Sequence, residues 1–455
     1  MEELAEMEQY PLFLERIFLR SPGINVAMKL RLNRLLSAEQ AAEVCRKMIL
    51  RHPLLASTVE IRQDRKAYFK TNQIDPANMI DVHDDNHIDW VQWYTGEDAG
   101  LCHLADGPLF KTGIFRYTKE QKTDIVFLGH HVIGDGMAFV TIARSFLDFI
   151  NGDTDVTPRI PPFYGMVSSF KDPVKPGLLS RYFSGKLNKT WKKTGRIFTE
   201  EAYQTFRKQF RANNESGIFL KKTEGPVLTK MIEKSKALSA TVNELIICAL
   251  VASLQKNNMI PACGPEIGIA INIRNDVVPE AHDCLGNFVS GVLIRETYDF
   301  EENFEENLSR FKRTIRDKIQ HKRNRFGPIL FTKNLEPDFI DSIYFAEYGL
   351  YDNRASKQLA RILGERNGDK GIGISNLGRI ELREEPDPIA EDMVFIPPAY
   401  PANRLNLGII TYNGHMNICF RYFKKFVHAA FLEPIYIDMI SAIMLPQTIQ
   451  KAKET

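Results

Sequence analysis

Residues His130 to Gly136 read HHVIGDG, two adjacent imidazoles followed by a short spacer and an Asp-Gly pair. A neutral imidazole can take a proton near physiological pH and give it back. Acyl transfer from a thioester needs both steps: an acceptor hydroxyl or amine made nucleophilic, then a departing thiolate reprotonated. No covalent acyl-enzyme is required. His131 is the candidate general base, with a strand-end histidine satisfied by backbone as the competing reading. Side chains alternate along an extended chain, so His130 points away from His131 and is read as a packing and hydrogen-bonding residue that fixes the turn. Gly134 and Gly136 do no proton chemistry; they allow a tight turn and a close approach to the helix start.

The flanking residues say how this cluster is mounted. Asp124 to Gly129 reads as a buried strand, and Met137, Phe139, Val140, Ala143, Phe146, Leu147 and Ile150 recur at helical spacing. The motif therefore lies between a strand and a helix. Upstream, Ser37-Ala-Glu-Gln40 has the form of a capping box opening an amphipathic helix that stops near Pro53. Thr58–Ile61 and Ala67–Lys70 form an expected hairpin, and Pro108–Arg116 an expected strand beside the one ending at His130. Downstream, Thr241–Glu244 opens a helix through Leu254; Glu266–Asn272, Asn287–Arg295, Gly371–Gly378 and Leu405–Tyr412 are strand candidates. A hairpin through Asn413-Gly414 leads into Gly414–Arg421. Phe304–Ile319 and Val427–Ile443 read as helices, and Asn324–Arg366 as less regular. This is an α/β pattern in two lobes: residues 1–170 with the motif, a basic connector over 171–215, and 216–455.

With 455 residues, 44% hydrophobic and 25% charged, the composition is that of a globular chain with substantial cores. A net charge of +2 gives no reason to expect nucleic acid. Cys45, Cys102, Cys248, Cys263, Cys284 and Cys419 lack CxxC spacing, so buried reduced thiols are expected rather than zinc or disulfides. His83 and His87 lie among Asp81, Asp84, Asp85 and Asp89, which reads as a solvated loop; no metal is expected. The acidic N-terminal stretch has no signal-peptide pattern and favours the cytoplasm, and Leu245–Leu254 is too short to span a bilayer. In the basic segment, Lys175, Arg181, Lys186, Lys189, Lys192, Lys193 and Arg196 alternate with Leu178, Leu179, Tyr182, Phe183, Leu187 and Trp191. A linker helix docked by its apolar side is the plain reading; a weak membrane-surface contact through 171–196, or a mouth for an anionic donor, is the sharper one.

The ordered set of motifs resembles the superfamily of CoA-dependent acyltransferases, which includes peptide-synthetase condensation domains, alcohol acetyltransferases and polyketide-associated acyltransferases. HHVIGDG is similar to the family's HHxxxDG, Arg51-His-Pro-Leu-Leu55 to its RHxxLR, and Pro108-Leu-Phe-Lys111 to its PLLR. Thr241-Val-Asn-Glu244 resembles TVND, and Ser375-Asn-Leu-Gly378 resembles SNxG. Leu285-Gly-Asn-Phe-Val289 resembles GxFVN, with Ser290 where Asn is common. The resemblance implies two chloramphenicol-acetyltransferase-like lobes, each a mixed sheet with flanking helices, enclosing an active-site tunnel. It implies that Asp135 points away from the reaction into a salt bridge, for which Arg274 is the partner. Ser375 and Asn376 are oxyanion or strand-pinning candidates; Asn287 and Ser290 line the tunnel or stabilise a bend.

The activity implied is acyl transfer from CoA or a carrier-protein thioester to a small alcohol or amine, O-acylation preferred, by a monomer without a cofactor. The alternatives are a free-standing condensation enzyme making an amide from carrier-bound substrates, and a non-catalytic binding module of the same fold.

Overall fold

The computed structural model describes residues 8–445 apart from 72, 86–87, 102, 162–175, 195–196, 278–282, 366–370 and 383–388. His87, Cys102, Lys175, Arg196 and the boundary expected at 170–171 lie outside the described residues. The strands are β1 (Asn25–Leu32), β2 (Thr58–Ile61), β3 (Ala67–Lys70), β4 (Ile80–Asp84), β5 (Phe110–Tyr117) and β6 (Lys122–His130). After the motif come β7 (Ser216–Thr223), β8 (Ile267–Asn272), β9 (Val289–Ile294), β10 (Gly371–Arg379), β11 (Ala390–Ile396), β12 (Asn403–Tyr412) and β13 (His415–Phe423).

One mixed sheet has the order β11-β1-β6-β5-β4, the other β7-β13-β12-β10-β8-β9; β2 and β3 form a separate hairpin. In the first sheet β4 runs parallel to β5 and the other neighbours are antiparallel. In the second, β10 runs parallel to both β8 and β12. This is the expected α/β class of two lobes with helices against each sheet. β6 is buried along nearly its whole length, as a strand covered on both faces must be. The helix Gly136–Ile150 and the capped helix Ala38–Arg51 share a core with one face of the sheet. Trp93, Tyr94, Val126 and Leu128 belong to another apolar cluster.

The two cores do not divide at residue 216. β11 pairs with β1 along Ala27–Leu32, so a late segment supplies the edge of the first sheet. The helices Pro337–Glu347 and Arg354–Leu363 also bury Phe339, Ile343 and Leu359 in the first lobe's core. These helices, with Lys322–Lys333, correct the expectation of an irregular 324–366 region. Pro328 lies inside the earliest of the three and obscures its periodicity. Pro337 occupies the first turn of the next, where proline is favoured. Asn353 caps the third, and Gly364 closes it in the left-handed region at φ 67°.

The stretch read as a loop around His83 is β4, whose Ile80, Val82 and Asp81, His83 alternate with period two; the His83 ring stacks on Phe115 at 5.1 Å. Among the described residues no cluster of three His, Cys, Asp or Glu is placed to hold a metal, and no single helix is long and apolar enough to cross a membrane.

The basic connector forms the helix Leu178–Lys192, which docks by only one end. Leu187 and Trp191 are buried, whereas Leu178, Leu179, Tyr182 and Phe183 stay exposed. Trp191 stacks on Phe339 at 5.0 Å and lies edge-on to Tyr351 at 6.2 Å, while Lys192 pairs with Glu336. Trp191→Ala should therefore cost about 3–5 kcal/mol of stability, read as a lowered denaturant midpoint. Phe183→Ser on the exposed part of the helix should stay within about 0.5 kcal/mol of the parent.

Candidate active site

β6 ends at His130, residues His131–Ile133 make one tight turn, and the helix begins at Gly136 with Asp135 as its cap. Asp135 Oδ1 accepts the Ala138 N–H at 3.0 Å, and the His131 N–H donates to Ile24 O at 2.9 Å. His130 turns into the core, where Nδ1 accepts the Val132 N–H at 3.1 Å. Burial, with Arg207, His131 and Arg20 nearby, pushes its pKa down to about 3. It is a neutral ring that shapes the turn. Gly136 packs closely between the two sheets: a Cβ there would stand 2.7 Å from Leu377 of β10 and 3.0 Å from Phe395 of β11.

The His131 ring stacks on Phe18 at 4.1 Å and places Nδ1 2.9 Å from Asn287 Oδ1. The Asn287 amide has only one satisfactory orientation. Its Nδ2 faces two carbonyl oxygens, His131 O at 2.7 Å and Val132 O at 3.3 Å, so nitrogen must lie on that side. Oδ1 then accepts a hydrogen bond from the His131 Nδ1–H, and the neutral ring keeps its lone pair on Nε2. Burial lowers the His131 pKa, opposed by its own backbone hydrogen bond, the Asp135 charge and Asn287. The ring is therefore uncharged near neutral pH.

The same turn is clipped to the second lobe. Gly134 and Gly286 form an isolated parallel bridge, and the Asp135 N–H donates to Gly286 O at 3.2 Å. Arg274 donates from Nη1 and Nη2 to Asp135 Oδ2 and Oδ1, both at 2.9 Å, while its guanidinium lies 4.4 Å over the Phe288 ring. The Phe288 N–H adds a bond to Asp135 Oδ2 at 2.8 Å. Burial works to raise the Asp135 pKa, but the charge and hydrogen bonds of Arg274, with those of Phe288 and Ala138, hold it below the usual carboxylate value.

Glu15 lies beside this pair and was not singled out from the sequence. Its carboxyl accepts the Phe13 N–H at 3.3 Å and is buried. Burial raises its pKa to about 7, against backbone hydrogen bonds from Glu15, Phe13 and Asn287 and helped by the Asp135 charge. A lone Glu before a short apolar run carries no sequence signal of such a position. Its neighbour Arg16 donates from Nε to Asp341 Oδ1 at 2.8 Å, which anchors the short helix Arg16–Leu19 carrying Phe18.

His131, Asp135, Phe18, Ser290 and Ser375 all line one cavity of about 980 Å³ between the sheets, with Lys318 and Arg323 also on its wall. Ser290 donates its hydroxyl to Arg325 O. Asn376 is not part of this wall: its Nδ2 donates to Asn243 Oδ1 at 3.1 Å and its Oδ1 accepts the Gly378 N–H at 2.8 Å. Ser375 and Asn376 are therefore separated by the alternation of β10. Asn287 is fully buried behind His131, and GNFVS alone did not reveal its grip on the ring.

The sequence model of the family described as Condensation domain matches residues 3–345. No curated protein sequence matches the chain. Among solved structures, the first condensation domain of the calcium-dependent antibiotic synthetase, in complex with a substrate analogue, is 12% identical with a TM-score of 0.63, covering 97% of this chain and 99% of its own. Polyketide synthase associated protein 5 from Mycobacterium tuberculosis is 11% identical with a TM-score of 0.58, covering 96% and 97%. The epimerization domain from the third module of tyrocidine synthetase B is 12% identical with a TM-score of 0.57, covering 95% and 92%. Likeness at these identities is one of fold.

Two stability experiments follow from this geometry. Asp135→Ala strands the Arg274 charge and should cost about 3–5 kcal/mol, while Asp135→Ala with Arg274→Ala should cost less than the sum of the single changes in a urea-denaturation cycle. Glu15 binds its proton more tightly folded than unfolded, so its contribution is fully present below its ordinary value of 4.5 and is lost as pH rises through about 7. Glu15→Gln should flatten the wild-type decline in stability across that interval.

Proposed function

The chain belongs to the family of condensation domains, and we propose that it transfers an acyl group from a thioester, held on CoA or on a carrier protein, to an alcohol or amine, with His131 as the general base. The observation that carries this reading is the Asn287 amide, which holds a proton on His131 Nδ1 and leaves the Nε2 lone pair for the cavity. The acceptor's O–H or N–H gives its proton to Nε2 as the heteroatom bonds to the thioester carbonyl carbon. The tetrahedral oxyanion then collapses, the C–S bond breaks, and the imidazolium proton passes to the leaving thiolate. An ester or amide and a free thiol result, and His131 returns to its starting state.

Asp135, Arg274 and His130 serve this chemistry by position alone, since each is committed to bonds that shape the turn. Ser375, on the cavity wall, is the side-chain candidate for the oxyanion. Family membership favours the carrier-bound thioester and an amine acceptor over free CoA and an alcohol, and these are separable by supplying both donors and both acceptors.

Free-thiol release and acylated product report the transfer. His131→Ala should reduce it about 10²- to 10⁴-fold while retaining the wild-type circular dichroism; a folded His131→Ala as active as the parent would falsify the mechanism. Asn287→Ala should lower kcat by less than that and leave KM nearly unchanged, because it loosens the ring and its tautomer without touching substrate. The acid limb of kcat/KM should fall below 6.5, the ordinary histidine value.

A further inference from the structure

The helix Leu178–Lys192 carries a surface that neither its packing nor the transfer step uses. At about 100° per residue, Ser184, Leu187 and Trp191 fall on one side of it and are buried. Leu178, Leu179, Tyr182, Phe183, Lys186 and Lys189 share about 140° of the other side, and all six are exposed. Among the described residues, Leu178, Leu179 and Tyr182 are the most exposed large apolar side chains, at 83%, 68% and 66%. Single exposed leucines are ordinary on a protein surface. Four large apolar side chains on two successive turns, with the Tyr182 and Phe183 rings edge-on at 5.7 Å, make one contiguous patch of the kind that marks an interaction site.

The charge around the patch has one sign. From Pro173 to Thr199 the sequence holds no Asp or Glu, in a chain whose 59 Lys and Arg are nearly matched by 57 Asp and Glu. Lys186 and Lys189 continue the exposed face beyond the apolar turns, Lys193 follows them, and Lys192 on the flank is paired with Glu336. The face is thus apolar over its first two turns and cationic over the rest. Exposure this high means that the patch projects from the surface and does not line a groove. A projecting apolar end beside lysines matches the edge of a bilayer, where hydrocarbon begins beneath a layer of negative phosphates. Lysine stems can lie along the apolar side chains while their ammonium groups stay at the phosphates. The patch also borders the cavity. Ser180, between Leu179 and Tyr182, lines it, and the helix packs against Arg354–Leu363, whose exposed Arg361 and Ile362 line it too.

We propose that this helix seats the protein on an anionic lipid bilayer, with Leu178, Leu179, Tyr182 and Phe183 in the hydrocarbon edge and Lys186, Lys189 and Lys193 at the lipid phosphates. The helix lies on the membrane and does not span it. Seated in this way, the cavity opens at the bilayer surface, where a substrate with an apolar chain passes in without crossing water. The seat goes beyond the acyl-transfer reading and does not depend on it.

Sedimentation of the full chain with vesicles of phosphatidylcholine, alone or with about one-third phosphatidylglycerol, reads the seat directly. The anionic vesicles should be bound about ten-fold more tightly than the neutral ones or better, and high salt should remove the difference. Lys186→Gln with Lys189→Gln should weaken binding to the anionic vesicles about ten- to thirty-fold. Leu179→Ser with Phe183→Ser should weaken it about ten-fold or more, and both variants should keep the wild-type circular dichroism. Folded variants that bind as the parent does, equal binding to the two kinds of vesicle, or binding to neither would overturn the proposal. In the last case a dimer that Leu179→Ser with Phe183→Ser dissolves, or a complex with an acidic carrier protein that the lysine variant breaks, would name the true occupant. Because binding is read without turnover, an inactive protein that still binds anionic vesicles counts against the transfer reading and leaves the seat standing.

Discussion

Two backbone carbonyls in the turn that follows β6, those of His131 and Val132, leave the Asn287 amide one way to lie. Everything proposed for the cavity depends on that constraint. It passes from carbonyl to amide nitrogen, from amide oxygen to Nδ1–H, and across the ring to an unprotonated Nε2. The Phe18 stack keeps the ring plane in place, and the Arg16–Asp341 bond keeps Phe18 in place. A base whose pKa is already lowered by burial needs its proton on the right nitrogen more than it needs a carboxylate beside it. That is why Asp135, though close, is free to do other work.

Its work is to join the lobes. The Asp135 carboxylate meets both terminal nitrogens of Arg274 and two backbone N–H groups, so its charge is compensated on every side. A buried ion pair is weak evidence of net stability, because desolvation offsets most of its attraction. What it supplies is registration: the guanidinium and the Gly134–Gly286 bridge set the height of the 286–288 segment against the motif turn. Asn287 reaches the ring only at that height. Glu15, in the same buried region, is protonated more readily than an ordinary carboxyl, which limits the negative charge next to Asp135.

What could be read from the sequence was local, or was carried by order. The β2–β3 hairpin, the capping box at Ser37, the helix opening at Thr241 and the strand-turn-helix of HHVIGDG each occupy a few consecutive residues, and each is present as expected. The Asp135–Arg274 contact spans the two halves and came from resemblance alone. Residues whose role depends on a distant partner were not legible. Asn287 looks like any loop amide until it faces His131; Asn376 is adjacent to Ser375 but points to Asn243. The helices between 322 and 363 were hidden by Pro328 inside one of them and Pro337 in the first turn of the next, and β11 gives no sign in its own residues that its partner is β1.

That pairing governs the order in which the molecule can assemble. β1 and β6 leave the ribosome early, but the strand that covers the outer edge of β1 follows only after most of the second sheet has been made. Until then β1 presents an open row of backbone donors and acceptors, the kind of edge that invites mispairing between chains. Contacts so distant in sequence are slow to form, since loop closure must precede any gain from them. The first lobe therefore depends on the second: its final sheet, and part of its core, close only when the later residues thread back.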